Sequence, residues 1–211
     1  MTAASSSQPQ SRQQDPNALV RTGGWLFRYR TWLPLPMALA LALIRSEQLA
    51  PSVLMWSGVA LVASGELLRL SAVRHIGVVS RTRSDRLGPL VATGPFARLR
   101  NPLYLGNIAL WVGFAISAGL IWLVPPIVLL LAFEYHAIVR WEEWLLESRL
   151  GDDYRAYAAR VPRWIPRLQP GKLEAQDSRS TFSWGETLFS ERGTLMAIVA
   201  GYFLLWYKSQ V

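Results

Sequence analysis

Cysteine is absent from this chain of 211 residues. That excludes disulfide bonds and thiolate metal sites and leaves the redox compartment open. Histidine is nearly absent, with only His75 and His136, too few for an imidazole-built zinc centre. Charge is scarce too, at 17% of residues, and it is missing entirely from the 33 residues between Asn101 and Phe133. A run that long exceeds the roughly 18 apolar residues that mark a membrane span. A soluble chain would need a core helix of improbable length. The glycine fingerprint of soluble dinucleotide folds is also missing, which excludes a Rossmann-type cofactor domain. Residues 1–17 are rich in Ser and Gln and lack the apolar core of a signal peptide, so they read as a disordered arm, bounded here at residues 1–20.

Half of the chain, 51%, is hydrophobic, and it holds ten Trp. The formal charge of +8 is placed beside apolar runs. Six arginines lie between Arg74 and Arg100, opposed only by Asp85. The preference of cytosolic membrane flanks for Lys and Arg accounts for this better than nucleic-acid binding does, so membrane lipids are expected as partners and nucleic acid is not. The apolar runs predict an all-α, polytopic membrane protein with about five transmembrane helices. An N-terminal hairpin, residues 21–70, has spans near Trp32–Ile44 and Val53–Leu68. A core, residues 71–168, contains a second hairpin. The stretch from Leu103 to Phe133 would be about 46 Å long as one helix against a hydrocarbon core of about 30 Å, so it must tilt or fold back, and "SAGL" at residues 117–120 supplies the turn. A linker, residues 169–185, leads to a C-terminal transmembrane helix, residues 186–211, with its span near Thr194–Tyr207. The arginine-bearing segments then share one side, which the charge rule makes cytosolic.

At the far end of the second hairpin, His136, Arg140, Glu143 and Glu147 fall on one helix face. Glu134 sits about 20 Å along that helix, still within the membrane, where an ionisable group faces a partner or a wet cavity. The plain alternative is an ion pair between Arg140 and Glu143 or Glu147 at a solvated helix end.

Three motifs in order carry a resemblance. Leu90, Val91 and Gly94 fit Leu-Val-x-x-Gly. Arg100, Pro102, Tyr104 and Gly106 fit Arg-His-Pro-x-Tyr-x-Gly. Glu142, Glu143, Leu146, Gly151, Tyr154, Tyr157, Val161 and Pro162 fit Glu-Glu-x-x-Leu-x-x-x-Phe-Gly-x-x-Tyr-x-x-Tyr-x-x-x-Val-Pro. About residues 60–168 thereby resemble the isoprenylcysteine carboxyl methyltransferase and phospholipid methyltransferase superfamily of membrane enzymes. Leu150 replaces the phenylalanine, an apolar exchange. Asn101 replaces the histidine, which keeps hydrogen bonding but removes a group that titrates near neutral pH.

The resemblance implies S-adenosylmethionine as methyl donor, S-adenosylhomocysteine as product, and a cofactor pocket on the cytosolic side. Glu142 and Glu143 suit the donor's ammonium. Arg100, Asn101 and the backbone N–H groups after Pro102 suit its carboxylate. Gly94 and Gly106 permit close backbone approach, and Tyr104 with Leu90 and Val91 offers a slot for the adenosine. Arg140 would orient a carboxylate acceptor. Glu143 or Glu134 would serve as base toward an amine. The acceptor is a lipophile from the bilayer, with an isoprenylcysteine-type carboxylate favoured over a phospholipid amine or other small lipophile. A non-catalytic lipid- or partner-binding membrane protein is the reading of another class. The expected location is a bacterial inner membrane. Several motif residues also have plain roles: Gly94-Pro95 as a turn, Asn101-Pro102 as a helix start, Tyr154 and Tyr157 as packing, and residues 161–166 as a strap.

Overall fold

A computed structural model describes residues 15–44, 51–77, 90–169 and 181–210. Residues 1–14 of the expected arm, most of the link 45–52 and most of the linker 169–185 lie outside the described residues. Among the described residues seven α-helices follow one another: α1 (Ala18–Tyr29), α2 (Leu35–Leu43), α3 (Ser52–Ile76), α4 (Pro102–Ser117), α5 (Val124–Leu150), α6 (Asp152–Arg160) and α7 (Trp184–Gln210). Short 3-10 turns cover Gly94–Ala97 and Ile121–Leu123. No strand occurs among the described residues, so the all-α expectation holds.

Among the described residues three helices are long and apolar enough to cross a membrane: α3, α5 with its leading turn, and α7, with α4 as a shorter apolar helix. Their outward faces are greasy. Leu67, Leu129, Phe133, Met196, Val199 and Phe203 are all more than half exposed, which fits lipid as the surrounding medium. The chain is therefore an integral membrane protein. The first expected span is reduced. Pro34 and Pro36 hold the helix start at Leu35, and Trp32 and Leu33 turn back onto the Tyr29 carbonyl, because proline inside a helix lacks an N–H and clashes with the preceding turn. Helix α2 is thus nine residues, about 13 Å long. By contrast, α3 and α7 run beyond their expected spans, α3 taking in Arg69 past Leu68 and α7 taking in Glu186 and Glu191 before Thr194.

Hairpin α4–α5 turns where expected. Gly119 adopts φ 72°, Leu120 N–H donates to the Ala115 carbonyl, and Gly119 N–H donates to that of Ile116. This is the Schellman closure, which needs a left-handed residue at that position. Helices α3 and α4 pack through a double row of glycines. A Cβ on Gly65 would lie 2.8 Å from the Gly106 carbonyl oxygen, and one on Gly113 would lie 2.7 Å from that of Gly58. Lipid tails compete with apolar side chains, so membrane helices gain contact chiefly by such close backbone approach. The core lies where α5 meets α1, α2 and α4, around Leu131, Ala137, Ile138, Leu26 and Met37. This packing brings the C-terminal ends of α3 and α5 to the same edge as the start of α4.

Candidate functional site

At that edge the two sequence landmarks meet. Segment 96–101 lies against the strap 161–167. Arg100 N–H donates to the Pro162 carbonyl at 2.9 Å, and Arg167 N–H donates to that of Arg98 at 3.0 Å. The Asn101 amide donates to the Arg163 carbonyl at 3.1 Å. Asn101 stands at the N-cap position of α4 with Pro102 after it, yet its side chain makes no cap bond, because the strap takes it instead. Tyr157 donates its hydroxyl to the Phe96 carbonyl at 2.9 Å. It packs with Tyr154 and Val161 under Leu90 and Ala92. Burial pushes the Tyr154 hydroxyl up to about 12 and that of Tyr157 above its ordinary value, so both remain protonated at neutral pH. Replacing Tyr157 by Phe is expected to cost about 1–3 kcal/mol, since a buried carbonyl loses its donor. Thermal unfolding of the purified protein in detergent measures it, and an unchanged midpoint would show that the bond contributes nothing.

Glu143 is the hub of the edge. It accepts from Arg100 at 2.8 Å and from Arg163 at 2.9 and 2.6 Å, while Arg140 approaches only to 3.9 Å with its side chain 40% exposed. The forked contact from Arg163 is the bidentate geometry that guanidinium groups favour. It raises the Arg163 pKa further above its already high value. Glu147 turns away to pair with Arg155 on the surface, so of the plain ion pairs considered for Arg140 only the one with Glu143 forms.

Glu142, next along the helix, accepts from the Tyr104 hydroxyl at 2.9 Å. Tyr104 stacks at 4.8 Å on Tyr135 and lines a cavity of about 910 Å³. Arg30, Arg69, Asn107, Glu134 and Tyr135 form its polar lining, and α2 and α7 give it apolar walls. Pockets for small molecules span about 300–1,000 Å³. Glu134 is 7% exposed and makes no hydrogen bond or ion pair with the described residues. Arg69, in contrast, binds Glu66, Glu191, Asn107 and Thr194.

The expected site residues thus divide. Arg100, Asn101, Glu142, Glu143 and Tyr104 converge, with Pro102 buried behind them. Glu134 lines the cavity that Tyr104 also borders, and Arg140 stays at the margin. Gly106 approaches Gly65 of α3, so helix packing accounts for it. Gly94, at φ 58°, sits where a side chain would collide with the His75 ring, so a turn accounts for it. Leu90 joins the tyrosine cluster and Val91 lies half-buried beside it. Sequence reasoning missed Arg163, Arg69, Arg30 and Asn107. Arg163 stands directly after the Val-Pro of the third motif, and Arg69 and Asn107 interrupt apolar helices, which is the signal that an intramembrane polar residue gives.

An S-adenosyl cofactor needs an anion for its ammonium, donors for its carboxylate and an apolar slot. The residues present fit it. Glu142 has an oxygen beyond the one that Tyr104 takes. The Arg100 Nε is buried and has no hydrogen-bond partner among the described residues. No side chain caps the start of α4, so backbone N–H groups there are available to an anion.

A family model described as phospholipid methyltransferase matches residues 53–153. The chain is 32% identical over 121 residues to the nickel-cobalt-cadmium resistance protein NccN of Alcaligenes xylosoxydans xylosoxydans, covering 57% of this chain and 56% of that protein. It is 32% identical over 79 residues to the cobalt-zinc-cadmium resistance protein CzcN of Cupriavidus metallidurans, covering 37% of this chain and 36% of that one. The match therefore spans about half or less of these relatives' length. Among the described residues no group of three His, Asp or Glu is placed to hold a metal ion. No solved structure matches the chain.

Proposed function

Since residues 53–153 belong to the phospholipid methyltransferase family, part of the isoprenylcysteine carboxyl methyltransferase-like superfamily of membrane methyltransferases, we propose that this protein transfers a methyl group from S-adenosylmethionine to a lipophilic acceptor drawn from the bilayer. The observation that carries the proposal is the junction at Tyr104. Its hydroxyl holds Glu142 at the charged edge, while its ring lines the cavity between α2 and α7. One residue thereby borders both the place suited to a polar cofactor and the place suited to a greasy acceptor.

When bound, the cofactor supplies an electrophilic methyl group on a sulfonium. Glu142 and Arg100 would hold its amino-acid end. Tyr104 fixes the Glu142 carboxylate in one rotamer, which is catalysis by positioning. The walls of α2 and α7 exclude water from the acceptor. The cavity's composition favours an amine acceptor over the isoprenylcysteine-type carboxylate. Of the two cations that line it, Arg69 is held by Glu66 and Glu191 and Arg30 acts on Glu142, whereas Glu134 has no ion pair among the described residues and would repel a second carboxylate; Arg140 does not line the cavity. With an ammonium acceptor, Glu134 takes the proton that must leave before nitrogen can attack carbon. The active site would face the cytosol, the side that arginine flanks prefer.

Two measurements test this. Titration calorimetry with S-adenosylhomocysteine in detergent is expected to show binding, and none at millimolar cofactor would overturn the proposal. Labelled methyl transfer is expected to reach amine lipids of an extract more than a farnesyl-cysteine analogue. Glu134→Gln is expected to slow the lipid reaction by about 10²-fold or more. A variant as fast as the parent removes Glu134 as base, and preference for the cysteine analogue returns the carboxylate reading.

A further inference from the structure

Helix α7 lies beyond the matched segment, yet one of its faces forms a wall of the cavity, through Ser190, Gly193, Thr194, Ala197 and Gly201. The helix is pinned at three levels. Glu191 and Thr194 bind Arg69, Tyr202 shares a hydrogen bond with Ser117 at 3.1 Å, and Lys208 donates to the Leu41 carbonyl of α2 and to that of Ile44 just past its end. The wall is therefore fixed in place and not merely laid against the bundle.

Two glycines on this face differ. At Gly201 an added Cβ would strike the Phe114 ring at 2.8 Å, so packing requires glycine there. At Gly193 an added Cβ would meet nothing within 4 Å. Glycine in a helix interior costs about 0.5–1 kcal/mol relative to alanine, and at residue 193 no neighbouring atom demands it. Gly193 is an exposed residue that lines the cavity, and the space beside it is open; the 7% exposed Glu134, which has no ion pair among the described residues, lines the same chamber. A buried carboxylate with no ion pair among the described residues, in a chamber that Tyr104 and Tyr135 also line, suits an ammonium group.

From the gap at Gly193 and the carboxylate that shares its chamber, we propose that α7 is the acceptor-selecting wall: Glu134 receives the amine, and Gly193 makes room for the bulk of the lipid body behind it. The inference rests on the amine-methyltransferase reading. It places selectivity for acceptor size on a helix outside the matched segment, so proteins sharing residues 53–153 would differ in acceptor through their α7.

The test uses the full chain in nanodiscs with two primary amines, two-chain phosphatidylethanolamine and octylamine. Gly193→Phe gains helix propensity and its Cβ meets nothing within 4 Å; a parent-like size-exclusion profile checks that it folds. It is expected to lower kcat/KM for the phospholipid relative to octylamine by about 10-fold or more, with Gly193→Ala intermediate. S-adenosylhomocysteine affinity is expected to stay unchanged. An unaltered ratio, or an equal fall for both amines, would overturn the wall. A diazirine-bearing dodecylamine gives a second readout independent of turnover. It is expected to label residues 190–205 in the parent and not in Gly193→Phe. Labelling of α7 without any methyl transfer would leave the wall standing and sink the enzyme reading. No labelling of α7 would overturn the wall itself.

Discussion

Glu143→Gln is expected to abolish methyl transfer and to free the strap 161–167 from α5. The carboxylate is the common acceptor of Arg100 and Arg163, with side chains 14% and 26% exposed around its own 12%. Removing one partner of a buried ion pair costs about 3–5 kcal/mol, because the other charge is left without compensation. Here two guanidinium groups would face a neutral amide. The strap's backbone bonds to Arg98 and Arg100 are too few to hold it alone. Cofactor affinity and turnover should fall together, and trypsin should then cut at Arg163 and Arg167. Arg155→Ala is the control. Its pairs with Glu147 and Asp152 are half or more exposed, and solvent screening leaves such pairs little weight in stability. Full protease protection and normal turnover in Glu143→Gln would show that the hub is dispensable.

Gly106→Val is expected to have the largest effect on stability. The Gly106 Cα faces Gly65 so closely that an added Cβ would lie 2.8 Å from the Gly65 carbonyl oxygen, with the Arg69 side chain also in its way. A helix backbone cannot yield locally as a flexible side chain can. Overpacking costs about 1–3 kcal/mol even where side chains give, and here α3 and α4 would have to part along their length. Their separation would also disturb Arg69 and its ligands. Loss of a monodisperse peak in size-exclusion chromatography, or a much lowered unfolding midpoint, is the measurement. A second glycine pair, Gly58 with Gly113, predicts the same for Gly113→Val. A parent-like midpoint in both would refute the packing account.

These two positions also show how far residue order alone can be read. Glu143 was identifiable because it stands in a motif whose spacing fixes it on a helix face. Its partner Arg163 was not, because it lies 20 residues on, in a strap without periodicity, and only the fold brings it back. Gly106 was taken for a place where a cofactor approaches the backbone. The sevenfold spacing of Gly58, Gly65, Gly106 and Gly113 carried the truer signal, but it becomes evident only when the two helices are laid side by side. Glu134 was legible as an expensive charge that had to face something. The far end of α3 and the start of α7 were not, since the expected spans stop at Leu68 and begin at Thr194. Arg69 and Glu191, just outside them, stay inside the helices because they pair across the bundle.

The contact between segment 96–101 and the strap joins parts of the chain some sixty residues apart. A ribosome delivers the first of them well before the second. At that moment Arg98 and Arg100 are an ordinary basic flank, free to orient the α4–α5 hairpin during insertion. Only when residues 157–167 emerge do the same arginines exchange topogenic duty for pocket-building. Assembly of the charged edge then follows insertion of the hairpin, and a nascent chain stalled before residue 157 would be threaded into the bilayer with that edge unformed.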